Sequence, residues 1–186
     1  IPLKAMTDAG KYFLQKQQRS TGVSEKELIK IAIKSMGLDE LTPFKPEERI
    51  IEYMLNDTNN SRLINMKLND FADLTASESV APGGGSISAY VGALGISLGC
   101  MVANLSSHKK GWDDRWQEFS NWADKGEQYK NELLKLVDAD TAAFNKIMLA
   151  FALPKASPEE KAARTQAIQD ATKYAIEIPF KVMETA

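Results

Sequence analysis

"VAPGGGSISAYVGALGISLGCMVANL", residues 80–105, decides how this chain is read. Three consecutive glycines lead into small and apolar side chains, and from Ser86 to Ser107 there are 22 residues without a charge. Such a run suits a membrane-spanning helix, a glycine-rich phosphate loop, or a soluble helix against which another backbone packs closely. Length alone permits the first. Composition opposes it, because Ser86, Ser88, Ser97, Asn104, Ser106 and Ser107 dilute the apolarity and no aromatic belt brackets both ends. A phosphate loop is opposed by spacing: "PGGGS", 82–86, lacks a Lys-Ser/Thr ending and follows no apolar strand. Packing remains. Ala89, Gly92, Ala93, Gly95, Ile96 and Gly99 leave much of a helix surface without bulk. Each interior glycine costs about 1 kcal/mol against alanine, so their repetition implies a close neighbour: a helix, a flat ligand or a symmetry mate. Glycines entering a helix also leave its first backbone N–H groups uncovered, where carboxylate or carbonyl oxygen is attracted.

Outward from this stretch, 186 residues with 44% hydrophobic and 26% charged side chains place the chain among globular proteins able to bury a core. A net charge of −2, from 23 basic and 25 acidic residues, gives no electrostatic reason to expect nucleic acid or an anionic membrane as partner. Cys100 is the single cysteine, which excludes an intrachain disulfide and a cysteine-cluster metal site and points to a reduced, cytoplasmic setting. His108 is the single histidine, so a two-histidine metal site is excluded too. It reads as a helix-end residue, with a lone catalytic role as the alternative. The chain opens on "IPLKAM" and stops at "KVMETA" without a capping signal, and both ends read as cuts through a longer polypeptide.

Helical periodicity dominates, and no stretch alternates like a strand between hairpin turns, so the expected fold is all-α. A first helix is expected over 3–18, with Leu3, Met6, Ala9 and Phe13 on one face. Ser24 and Glu27 form a capping box that opens a second helix running to Gly37. Pro46 and the glutamates after it open a short third helix. The polar stretch from 56 onward, "NDTNNSR", reads as a linker, placed at 56–65. Beyond it, Leu68, Phe71 and Leu74 share a face with Asn69 as the expected cap. A long helix from Trp112 to Phe151 follows the glycine-rich one. Pro154 stops it, and Ser157, Pro158 and Glu160 open a last helix, with Ile168, Ala171, Ala175 and Ile178 inward and Pro179 expected to kink or end it.

Two aspartates in "LVDAD", 136–140, differ by position. Asp140 lies three residues after Val137 and four before Phe144, so it interrupts the apolar stripe. Asp138 is turned away by about 200° and can remain solvated. A carboxyl group facing an apolar interface is a candidate proton donor and acceptor. A structural hydrogen bond to a helix end, or to a lysine such as Lys130 of a neighbour, explains the same position equally well.

"APGGGSISA" at 81–89, "MVANL" at 101–105, "LVDAD" at 136–140 with "AF" at 143–144, "LPK" at 153–155 with "PEEK" after it, and "IP" at 178–179 occur in order and at suitable spacing. Together they resemble the cyclodeaminase domain of the formimidoyltransferase-cyclodeaminase family. "MGLDELTPFKPEERIIEYML", 36–55, resembles the end of that family's transferase domain. The resemblance implies a transferase end over 1–55, a linker over 56–65, and a cyclodeaminase domain over 66–186, truncated at its C-terminal end. It implies a helical bundle of the cyclodeaminase type with a long central helix.

The implied function is closure of 5-formimidoyltetrahydrofolate to 5,10-methenyltetrahydrofolate with release of ammonia, in histidine degradation and one-carbon folate metabolism. The folate derivative is substrate, and neither a metal nor an organic cofactor is implied. The resemblance makes Asp140 the proton donor and acceptor. It also implies a homodimer or larger homo-oligomer with folate near the subunit interface. On that basis Gly83, Gly84 and Gly85 are candidates to meet folate through backbone N–H groups, and Ser86 and Ser88 through hydroxyls, the serines having helix capping as the alternative. Lys109, Lys110, Lys155 and Arg164 are candidates for the anionic glutamate or polyglutamate tail, each with a solvated surface as the alternative. Two competing functions are a methenyltetrahydrofolate cyclohydrolase, against which the segment 1–55 argues, and a non-catalytic helical dimerisation module.

Overall fold

The computed structural model describes residues 1–55 and 62–186. Among them there is no strand, and the all-α expectation holds. The helices are α1 (Leu3–Lys16), α2 (Glu25–Ser35), α3 (Pro46–Arg49), α4 (Ile51–Leu55), α5 (Leu68–Thr75), α6 (Gly84–Ser106), α7 (Trp116–Phe151) and α8 (Pro158–Thr185), with 3-10 turns at Leu63–Asn65 and Asp113–Arg115. Positions 56–61 of the expected linker lie outside the described residues.

The chain divides into two compact units, Ile1–Asn59 with Ile96–Gln128, and Asn60–Gly95 with Tyr129–Ala186. Helices α6 and α7 each contribute one part to each unit.

In the first unit Met6, Ile29, Ala32 and Ile50 form a buried cluster against which Leu3, Ala9, Ile33 and Phe44 pack. Gly10 lets α1 meet α2, since a Cβ there would overlap the backbone of Leu28. The segment Ser20–Gly22 seats on α7. The Thr21 N–H donates to the Ser120 hydroxyl oxygen (3.0 Å), and the Thr21 hydroxyl donates to Asp124. Lys11 Nζ lies 3.2 Å from the other Asp124 oxygen. Gly22 runs against Ala123 so closely that a Cβ would overlap its backbone, and the Gly22 carbonyl accepts from Asn104 Nδ2 at 2.7 Å. Tyr53 donates to Glu25 Oε1 at 2.7 Å, and burial, that hydrogen bond and the Glu25 and Glu47 charges push its phenol well above the ordinary value.

In the second unit Ala89, Ala93, Leu133, Leu136, Val137, Ala143, Ile178 and Val182 are buried. Gly92 sits where a Cβ would come within 3.3 Å of Leu133, so the small-residue surface of α6 does admit a close neighbour here. The Ser157–Glu160 capping box opens α8 as expected. Arg164 donates to the Phe151 carbonyl at 3.3 and 3.2 Å, satisfying the free end of α7.

Several local expectations are corrected. The first helix stops at Lys16, because Gln18 turns to φ 53, and the second at Ser35, ahead of Gly37 at φ 65. The Ser24 hydroxyl accepts from Glu27 N–H at 3.4 Å, while the Glu27 carboxylate turns to Lys30, so only half of that box forms. The expected single helix after Pro46 is two, broken at Ile50, whose extended backbone lets the side chain bury completely. Lys67, not Asn69, occupies the cap position of α5, since the backbone is still extended there; the Asn69 amide contacts Asp70. Asp138 is not left to solvent: it accepts from Leu63 N–H at 2.8 Å. Pro179 does not end α8, which continues to Thr185; one missing N–H is carried by the bonds on either side.

Helix α6 is long and apolar enough to cross a membrane by length and composition. One of its faces, carrying Val91, Leu94, Leu98, Met101, Val102 and Leu105, is exposed at positions spaced three and four apart.

Candidate active site

The site is built where the glycines open α6 against the middle of α7. Asp140 projects from α7, and Ser86, completely buried, closes the first turn of α6. Ser86 N–H donates to Asp140 Oδ2 at 2.9 Å, and the Ser86 hydroxyl lies 3.1 Å from the same oxygen. That hydroxyl also lies 2.7 Å from the Val137 carbonyl and 3.4 Å from the Thr141 hydroxyl. The carboxyl group therefore meets the positive end of the helix dipole, where an anion is favoured.

The three glycines play different parts. A Cβ at Gly85 would overlap the Asp140 carboxyl group, and one at Gly83 would come within 3.3 Å of Oδ2. At Gly84 a Cβ would meet nothing within 4 Å. So Gly85 admits the aspartate, whereas Gly84 faces open space. The N–H groups of Gly84 and Gly85 have no partner among the described residues.

A cavity of about 210 Å³ lies over this arrangement. Gly83, Gly84 and Gly85 form one side, Asp140, Thr141 and Phe144 another, and Ala175 of α8 a third. Asp140 is the only titratable group lining it, and it has no ion pair among the described residues. A lone carboxyl group beside unpaired N–H donors can exchange a proton with a ligand and bind that ligand's acceptor atoms. The half-exposed Phe144 ring offers a flat apolar wall. Among the described residues no cluster of histidine, cysteine, aspartate and glutamate could hold a metal ion.

The expected site residues are thus sorted. Gly83, Gly84, Gly85, Ser86 and Asp140 come together, with Ser86 buried beneath the carboxyl group and Ser88 exposed outside the cavity lining. Lys109 and Lys110 follow α6 in the first unit, where Lys109 Nζ lies 4.6 Å over the Trp112 ring. Lys155 is exposed in the turn after α7, and Arg164 is spent on the Phe151 carbonyl. None of these four cations lines the cavity. Thr141 and Phe144 carry no motif of their own, yet both follow from Asp140 by helical position, one and four residues on. Ala175 comes from another helix, where periodicity marks it as inward-facing but nothing marks it as part of this site.

The formiminotransferase-cyclodeaminase family matches residues 67–186, and the formiminotransferase domain family matches residues 1–56. Formimidoyltransferase-cyclodeaminase of Gallus gallus is 38% identical over 180 residues, 96% of this chain and 33% of that protein. Methenyltetrahydrofolate cyclohydrolase of Methylorubrum extorquens is 37% identical over 116 residues, 62% of this chain and 56% of that protein. The crystal structure of formiminotetrahydrofolate cyclodeaminase from Thermotoga maritima superposes with a TM-score of 0.54 at 32% identity, covering 64% of this chain and 56% of that one. The chain spans about a third of the length of the bifunctional relatives it matches, 33% in the Gallus gallus protein.

Proposed function

The chain belongs to the formiminotransferase-cyclodeaminase family, and on that premise we propose that it carries the cyclodeaminase reaction, closing 5-formimidoyltetrahydrofolate to 5,10-methenyltetrahydrofolate with loss of ammonia. The observation that carries this reading is the isolated Asp140 carboxyl group, held at the entrance of α6 beside a cavity with no other titratable group.

The reaction needs a group that takes and returns one proton. N10 attacks the carbon of the protonated formimidoyl group (–CH=NH2+), whose C=N π pair moves to nitrogen as the C–N10 bond forms, and the N10 proton passes to the Asp140 carboxylate. Asp140 returns that proton to the resulting amino group, which leaves as ammonia when its C–N bond breaks, and the remaining cation is the methenyl bridge between N5 and N10. A positioned carboxyl group contributes about 10²–10⁴-fold to such a step. Gly84 and Gly85 N–H groups suit acceptor atoms of the pterin, and Phe144 suits its face.

A cavity of about 210 Å³ is smaller than the ~300–1,000 Å³ typical of sites that enclose a drug-sized ligand. It accommodates the reacting end of a folate, and the remainder needs another surface. The exposed apolar stripe of α6 supports a homodimer or larger homo-oligomer as the source of that surface. Cys100, the single cysteine and buried, supports a cytoplasmic location, and the work of the whole protein belongs with histidine degradation and one-carbon folate metabolism.

The test supplies the protein with 5-formimidoyltetrahydrofolate and follows methenyl absorbance together with ammonia. Formation of both at equal rates is expected; neither forming would overturn the assignment. Similarity to a methenyltetrahydrofolate cyclohydrolase motivates a parallel assay with 5,10-methenyltetrahydrofolate, where faster hydrolysis than ring closure would favour that activity instead.

A further inference from the structure

The Ser86 hydroxyl carries one proton and has two strong acceptors within reach, the Val137 carbonyl at 2.7 Å and Asp140 Oδ2 at 3.1 Å. Its N–H adds a second donor to Oδ2 at 2.9 Å. Oδ1 has no hydrogen-bond partner among the described residues. Since Ser86 is completely buried and does not line the cavity, it acts on the carboxyl group and not on a ligand.

We propose that Ser86 is a positioning residue for Asp140, holding Oδ2 with two donors so that the proton exchanged in the reaction rides on Oδ1. This rests on the cyclodeaminase reading. While Asp140 is charged, its oxygen is the stronger acceptor, and the Ser86 hydroxyl turns to Oδ2. When Oδ1 takes the proton from N10, the charge disappears and the hydroxyl turns to the Val137 carbonyl, so neither form leaves a buried donor unmatched. The proton then leaves from Oδ1 to the departing nitrogen, and the hydroxyl swings back. The helix entrance thus serves both protonation states by rotation about a single bond.

Ser86→Ala removes the hydroxyl and keeps the backbone N–H on Oδ2. The expected result is a fall in kcat of about tenfold, the loss of one hydrogen bond to a charged group, with KM within about twofold of the parent. A rise in KM at unchanged kcat would assign Ser86 to substrate binding and overturn the proposal, as would unchanged turnover. Infrared spectroscopy gives a readout that needs no activity. The carboxylate bands of Asp140, isolated as the difference between the protein and its Asp140→Asn variant, are widely split when one oxygen takes both donors. Ser86→Ala narrows that splitting if the hydroxyl sits on Oδ2, and an unchanged splitting overturns the proposal. Failure of the parent protein to close the folate ring, with the infrared change intact, would count against the proposed reaction and not against the hold on Oδ2.

Discussion

Gly85 and Asp140 occupy a single volume between them: a Cβ on the glycine would overlap the carboxyl group of the aspartate. The carboxyl group reaches the first turn of α6 only because position 85 has no side chain, while position 84, one residue earlier, faces open space.

A matched pair of substitutions separates packing from ligand contact. Gly85→Ala pushes Asp140 off Ser86, costing about 1–3 kcal/mol as overpacking. It also lowers kcat about 10²-fold through misplacement of the proton carrier. Gly84→Ala leaves stability and kcat near those of the parent, and any effect falls on KM. Thermal unfolding and steady-state kinetics on both variants check this, and equal losses in the two would refute the division of roles.

Asp140→Asn keeps an oxygen that can accept Ser86 N–H, so α6 stays anchored and Tm moves by only about 2–4 °C for each kcal/mol lost. Ring closure falls by about 10²–10⁴-fold, the usual worth of a general acid–base group. Turnover like that of the parent protein would remove Asp140 from the chemistry.

In the first unit the vulnerable position is Gly22. Its backbone lies against Ala123 and Asp124, so Gly22→Ala forces α7 and the Ser20–Gly22 segment apart. The expected cost is about 1–3 kcal/mol. Calorimetry reads it as a lower Tm, and an unchanged Tm would mean the contact yields without strain.

Tyr53 sets an alkaline limit. Its folded-state pKa is raised by burial and by Glu25 and Glu47, above the ordinary 10.0 that the unfolded chain retains. The unfolded state therefore releases the phenolic proton first, and the stabilisation, complete below that ordinary value, declines as pH climbs through it. Denaturant titrations above pH ~10 are expected to show a steeper loss of stability for the parent than for Tyr53→Phe.

The all-helical architecture and the position of Asp140 were legible in the sequence because both rest on period. An aspartate three residues from Val137 and four from Phe144 belongs to the inner stripe of any helix drawn through them. The capping box at Ser157 was legible for a similar reason, its members lying within one turn. What lay beyond reach depends on partners distant in the chain. Asp138 escapes solvent because Leu63 N–H, 75 residues away, arrives beside it. Ile50 breaks a helix because its burial outweighs the local preference of the residues around it. Charge alone marks the surface lysines and carries no direction: Lys109 lies over an indole ring and Lys155 stands in solvent. Ser86 differs from Ser88 by two positions on the same turn, enough to bury one and expose the other.

The two family matches meet between residues 56 and 67, yet Thr21 and Gly22, from the first, are fastened to Ser120, Ala123 and Asp124, from the second. The boundary between the two matches is not a boundary of packing. A chain cut at that boundary would keep the helix that bears Asp140 and lose the Thr21 and Gly22 contacts on which its first turns rest.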